Sequence, residues 1–224
     1  MEKVVIGKQV WANKNLDTVT FSNGDEILHA KSAQDWVDAG RNGIVFIGLN
    51  ATEEAVNIGS VFCTRVHFWK ILKDAGLISE CTRTENTYPF EHMASEVFIS
   101  GNLSAHPDGL GFTDMIDDNT ITSKNSNSVK VESSHLESLK DRLKNAEPDK
   151  IVLMGKRVTD EFLKMDETLK EIWKSRKNEG DDKAYDYLGE TNFLGRTMKV
   201  YVVPFPETSP VSNKHLYYEI ILKK

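Results

Sequence analysis

The run Ile44-Val45-Phe46-Ile47 is apolar and rich in β-branched residues, with none of the polar alternation of a half-exposed strand. A strand of that kind has to be covered on both faces, as happens in a parallel sheet held between two helix layers. Three more runs share the texture: Val97-Phe98-Ile99, Ile151–Met154 and Val200–Val203. Helical spacing separates them. Phe68, Ile71, Leu72 and Ala75 fall at i, i+3, i+4 and i+7, with Gly76 at the C-cap; Leu136, Leu139 and Leu143 repeat ahead of Pro148; Phe162, Met165, Leu169, Ile172 and Trp173 mark a third amphipathic helix. Strands alternating with helices predict an α/β fold, a three-layer α/β/α arrangement around a mainly parallel four-stranded sheet. The polar stretches Ile121–Ser134 and Arg176–Lys183 read as surface loops, and the Lys/Glu-rich face of the 160–179 helix as solvated.

The texture differs ahead of this region. Val4-Val5-Ile6 is a short strand candidate, and Val19–Phe21 and Glu26–Leu28 flank Asn23-Gly24, a hairpin signal because both residues tolerate positive φ. Ser32–Asp35 fits the capped start of a short helix. Residues 1–40 are therefore assigned to a small front hairpin module and residues 41–224 to the α/β domain. The longest apolar run, Ile44–Leu49, is far short of the ~20 residues that span a bilayer, and the first residues lack the apolar core of a signal peptide. No membrane association is expected, and the expected setting is cytoplasmic.

Composition narrows the chemistry. Two cysteines, Cys63 and Cys81, cannot supply a disulfide framework or a four-thiolate cluster. The six histidines show neither His-x-His nor His-Glu-x-x-His spacing, so no metal and no cofactor are expected. Charge is uneven: residues 1–120 hold 9 Lys+Arg against 17 Asp+Glu, and residues 121–224 hold 19 against 17. Proteins that wrap phosphate backbones usually show a basic surplus, which is missing here.

Ligands of open α/β sheets collect at the carboxyl ends of the strands. Three segments there carry distinctive chemistry. Gly48-Leu49-Asn50-Ala51 follows the first run and offers a carboxamide that can both donate and accept. Gly109-Leu110-Gly111-Phe112-Thr113-Asp114 reads as a glycine-flanked turn. Pro204-Phe205-Pro206 through Pro210 is a stiffened loop after the last run. Each segment alone is also ordinary turn chemistry.

Their order is more specific. Gly48-Leu49-Asn50, Phe62, the helix Val66–Leu77 containing Phe68-Trp69-Lys70, Gly111-Phe112-Thr113, Ile151–Lys156 and Val202-Val203-Pro204 together resemble the mismatch-specific uracil-DNA and thymine-DNA glycosylase family, over most of residues 44–220. The resemblance implies a uracil-DNA glycosylase-like fold and a hydrolase that removes uracil or a related damaged base from DNA after flipping it. It implies that Asn50 is the catalytic residue and that Gly48, Leu49, Phe62, Gly111 and Thr113 bind the base. Phe62 stands where the family's aromatic stacks on the base, although a ring there is equally readable as buried. Pro204, Phe205, Pro206 and Ser209 fall on the loop that wedges into the duplex.

Other residues have plainer readings. Phe68 and Trp69 read as core anchors, Cys63 as a buried thiol, and His106 as a loop histidine. Lys156 is open between a phosphate contact and a surface lysine. The chain departs from the family in having Ala51 where proline is usual, Asp114 and Asp118 where basic residues are common, and Glu207 in the wedge segment. These departures keep an alternative open: a non-catalytic or repurposed pocket for a free base, nucleoside or nucleotide. A third reading makes the front module a recruiting surface for a protein partner.

Overall fold

The computed structural model describes residues 16–20, 26–30, 43–50, 66–78, 110–116, 129–192, 195–207 and 209–223. Strands β1 (Leu16–Thr20) and β2 (Glu26–Ala30) pair antiparallel, with Thr20 opposite Glu26. The main sheet contains β3 (Ile44–Asn50), β4 (Leu110–Ile116), β5 (Lys150–Met154), β6 (Tyr187–Thr191) and β7 (Met198–Val203). Its order is β4-β3-β5-β7-β6, parallel throughout except for the antiparallel β6. The helices are α1 (Val66–Asp74), α2 (Ser133–Ala146), α3 (Lys156–Phe162), α4 (Glu167–Asn178), α5 (Asp181–Ala184) and α6 (Lys214–Lys223).

The pleat explains the continuous apolar runs. Val45, Ile47 and Leu49 point into a core shared with Leu139 and Leu143 of α2, Phe162 of α3 and Trp173 of α4. Ile44 and Phe46 point the other way, toward Phe68 and Leu72 of α1 and Tyr218 and Ile221 of α6. Successive side chains of a strand leave by opposite faces, so a strand sandwiched between two helix layers needs apolar residues at every position. The three-layer expectation holds. On the α1/α6 side, Phe46 stacks on Phe112 at 5.2 Å and on Tyr218 at 6.2 Å, and meets Phe68 edge-on at 6.0 Å.

Several expectations need correcting. Among the described residues the sheet has five strands. β6 escapes a hydrophobicity reading because it is an edge strand with a Gly189-Glu190 interruption and a register shift between Tyr187 and Gly189. Residues 110–114 of the expected turn at 109–114 belong to β4, whose seven residues are all buried, with Gly111 beside Val45 in the ladder. The single helix expected over Phe162–Trp173 is two helices. Asp166 breaks the run by accepting a hydrogen bond from the Leu169 N–H at 3.0 Å as the N-cap of α4, while the Thr191 hydroxyl donates to its other oxygen at 2.5 Å. Arg176–Lys183 is largely helical, and Ser133 and Ser134 open α2.

Other expectations match. α1 ends at Gly76, whose φ of +73° lets the Leu77 N–H reach the Leu72 carbonyl at 2.9 Å. α2 ends before Pro148. The expectations for Val4–Ile6, the Asn23-Gly24 turn, Ser32–Val37, Val97–Ile99, 121–128 and the Trp69 ring lie outside the described residues. Among the described residues, no helix is long and apolar enough to cross a membrane.

Because the Phe46 ring is fully buried among three aromatic neighbours, Phe46→Ala is expected to cost about 3–5 kcal/mol of unfolding free energy. Urea denaturation followed by tryptophan fluorescence measures this, and a loss under about 1 kcal/mol contradicts the packing described.

Candidate active site

Parallel pairing aligns the carboxyl ends of β3, β4, β5 and β7 along one edge of the sheet. Asn50 closes β3 there, half-buried and in register with Ile116. Its position in the pleat puts it on the same face as Phe46 and Gly48, the face covered by α1 and α6. Leu49 points the opposite way, into the core beneath α2.

Neighbouring connections border the same edge. After β5, Gly155 adopts φ +92°, and its N–H donates to the Val203 carbonyl at 2.8 Å, joining the ends of β5 and β7. A Cβ at Gly155 would lie 3.3 Å from the Phe205 Cβ, so this turn both needs the positive φ and leaves little room for a side chain. After β7, the chain is held down by α6: the Tyr218 hydroxyl donates to the Pro204 carbonyl at 3.0 Å, and the Lys214 ammonium donates to the Pro206 carbonyl.

β4 behaves differently from its sequence reading. Thr113 is fully buried, and its hydroxyl accepts a hydrogen bond from Arg142 of α2. Arg142, itself buried, also donates to the carbonyls of Asp114 at 2.9 Å and Met115 at 3.3 Å. Arg142 thus reaches the β4 backbone from the helix layer and supplies hydrogen-bond donors to two of its carbonyls. Thr113 therefore faces α2, away from the face that carries Asn50, and Gly111 is a ladder residue. The expectation of a Gly111–Thr113 turn cradling a base does not match this arrangement.

The adjacent residue was missed. Asp114 lies opposite Gly48 in the β3–β4 register, and the pleat turns it to the Asn50 face. It is only 5% exposed, and among the described residues its Oδ2 atom has no hydrogen-bond partner. Burial pushes its carboxyl up to about 8, against the opposing pull of the Arg142 guanidinium. In sequence it stood out only as an acid at a position where basic residues are common in the family. The available signal was its position as a single acid between Phe112 and Met115, consistent with a buried strand.

The last-loop residues are also more enclosed than a protruding wedge. Pro204 and Pro206 are buried, and Phe205 is half-buried against the Phe46 side of the core. The Ser209 hydroxyl accepts from the Val211 N–H at 3.4 Å. Lys156 is half-buried at the first turn of α3. Phe62, Cys63, Ala51, His106 and Asp118 lie outside the described residues. Among the described residues, no three His, Cys, Asp or Glu side chains converge as metal ligands.

A carboxamide on β3 and a buried carboxyl on β4 thus share the sheet's carboxyl edge, which the Pro-Phe-Pro turn after β7 also borders. The family model of the uracil DNA glycosylase superfamily matches residues 35–221. The chain belongs to that superfamily. Membership indicates DNA glycosylase-like hydrolysis as its general chemistry and DNA as its general partner. No curated protein matches the sequence significantly.

The buried carboxyl has a consequence for stability. Between about pH 4 and pH 8 the unfolded chain has released the Asp114 proton, whereas the folded protein retains it. The unfolded state then binds fewer protons, so this contribution is complete below pH 4 and is lost as pH rises to 8, by up to about 1.4 kcal/mol per unit. Asp114→Asn is therefore expected to gain on the wild type steadily from pH 4.5 to 8 in parallel denaturation series. A difference independent of pH contradicts a buried, protonated Asp114.

Proposed function

We propose that this chain is a divergent member of the mismatch-specific uracil-DNA and thymine-DNA glycosylase branch, hydrolysing the N-glycosidic bond of uracil or a related damaged base in DNA. The observation that carries this is Asn50, half-buried at the carboxyl end of β3, an interior parallel strand, in a chain of this superfamily.

A base inside a duplex is out of reach, so it has to be flipped into a pocket at a cost of a few kcal/mol. Phe62 stacks on the flipped base and recovers roughly 1–3 kcal/mol of that cost. Bond cleavage places positive charge on the sugar and negative charge on the departing base. Asn50 is neutral and a poor general base, but its carbonyl oxygen can hold a water in line with the sugar carbon. Backbone N–H groups near Leu49 receive the charge that develops on the base. The loop Pro204–Ser212 meets the duplex, with the rim beyond the pinned Pro204 and Pro206 making the contact.

A second function is supported by the charge balance. The acidic surplus of residues 1–120 and Glu207 on the last loop favour a pocket that binds a free base, nucleoside or nucleotide without wrapping DNA.

Incubation with uracil-containing single-stranded and mismatched oligonucleotides, followed by alkali, is expected to reveal strand breaks at the uracil. Asn50→Ala is expected to lower the rate at least about a hundredfold while leaving the fold intact by circular dichroism. No breaks at high wild-type concentration rule out the glycosylase, and unchanged activity in Asn50→Ala rules out the role given to that residue. Uracil binding without DNA affinity at about 50 mM salt selects the free-base pocket.

A further inference from the structure

Asp114 is, among the described residues, a buried acid of the candidate site that the mechanism above leaves unused. Carboxylates are almost never buried without a partner, because losing hydration costs far more than an apolar side chain returns. A buried acid with an open oxygen must either keep its proton or find a ligand. Arg142 lies next to Asp114 in the structure, yet it donates to the Asp114 backbone carbonyl and to Thr113 on the other face of β4. Among the described residues, the Asp114 Oδ2 atom is left without a hydrogen-bond partner.

Among the described residues, its surroundings on the Asn50 face are uncharged. β3 contains no titratable residue, and Gly48, its register neighbour, contributes no side chain between Asp114 and the next strand. α1 turns Phe68 toward this layer, where it meets Phe112 edge-on at 5.7 Å, while His67, Lys70 and Asp74 are exposed and Lys73 is half-exposed. From α2, Arg142 is the charged group that acts on Asp114. Asp117 and Asp118 follow in the chain, outside the described residues.

We propose that the Asp114 carboxyl is a ligand-facing group of this site, donating a hydrogen bond from its O–H to a carbonyl oxygen of a base held beside Gly48 and Asn50. The proposal rests on the base pocket of the preceding section. A neutral acid in an apolar setting is a strong directional donor, and it can strengthen its bond to a base oxygen as that oxygen gains negative charge. Asn50 on β3 and Asp114 on β4 then divide the work, the carboxamide on the sugar side and the acid on the base side. The group keeps its proton at neutral pH and loses it near pH 8, so alkali removes the donor and puts a carboxylate against an electron-rich oxygen.

Two measurements on wild type and Asp114→Asn test this. The first is the infrared C=O stretch of a protonated carboxyl at pH 7, identified by its absence in Asp114→Asn, with and without added uracil. The second is the pH profile of kcat/KM for uracil release from an oligonucleotide. The expected result is a band that shifts when uracil is added, together with a wild-type rate that falls about tenfold per unit above pH 8 and a variant rate that lacks this limb. A band absent at pH 7, or unmoved by uracil, overturns the proposal whatever the rates. Base release with the same alkaline limb in both proteins also overturns it and leaves the glycosylase standing. A shifting band without base release from DNA supports the Asp114 contact and moves the protein to the free-base pocket. Thermal melting of both proteins across the same pH range separates loss of fold from loss of the donor.

Discussion

Burial of β3 on both faces is the constraint from which the rest of the molecule follows. Its odd-numbered residues Val45, Ile47 and Leu49 close one core with α2, α3 and α4, and Ile44 and Phe46 close the other with α1 and α6. β5 and β7 share this two-sided burial, with Ile151, Leu153, Val200 and Val202 in one core and Val152, Met154, Tyr201 and Val203 in the other. The hydrophobic effect therefore fixes β3 inside the sheet, between β4 and β5. Once the neighbours are parallel, their carboxyl ends must share an edge, and Asn50, Asp114, Gly155 and Pro204 arrive there together.

The edge strand β4 shows how a local polar device serves the site. From the helix layer, Arg142 supplies donors to the backbone carbonyls of Asp114 and Met115. The same guanidinium takes the Thr113 hydroxyl. With the α2 side of β4 locked in this way, the pleat leaves Asp114 facing the Asn50 side, where burial holds it protonated near neutral pH. One buried cation therefore fixes the placement of a neutral acid on the opposite face, through backbone geometry.

Much of this was legible in the residues. The runs at 44–47, 151–154 and 200–203 predicted strands covered on two sides, and Leu136, Leu139 and Leu143 predicted the helix that covers one of them. Asn50 after an apolar run pointed to the sheet edge. The errors came from residues whose local chemistry was outvoted. Glycines at 109 and 111 signal a turn, but Phe112, Met115 and Ile116 bury so much apolar surface that the segment joins the sheet. Phe162 to Trp173 keep a helical period across Asp166, and only the bond from Leu169 shows that a new helix starts there. β6 pairs by backbone along an exposed edge and needs little hydrophobic signal to do so.

The amino-acid order by itself determined the class of fold and the place of the carboxamide, because continuous apolar runs and helical spacing record which surfaces must leave water. It could not say which side of β4 faces the site. That choice depends on the register between β3 and β4 and on a guanidinium 28 residues away in the chain. Shifting the strand by one residue would exchange Thr113 and Asp114 between the two faces. Such a choice is made only when the helix and the sheet close on one another, and so the tertiary structure decided that an acid, and not a hydroxyl, stands beside Asn50.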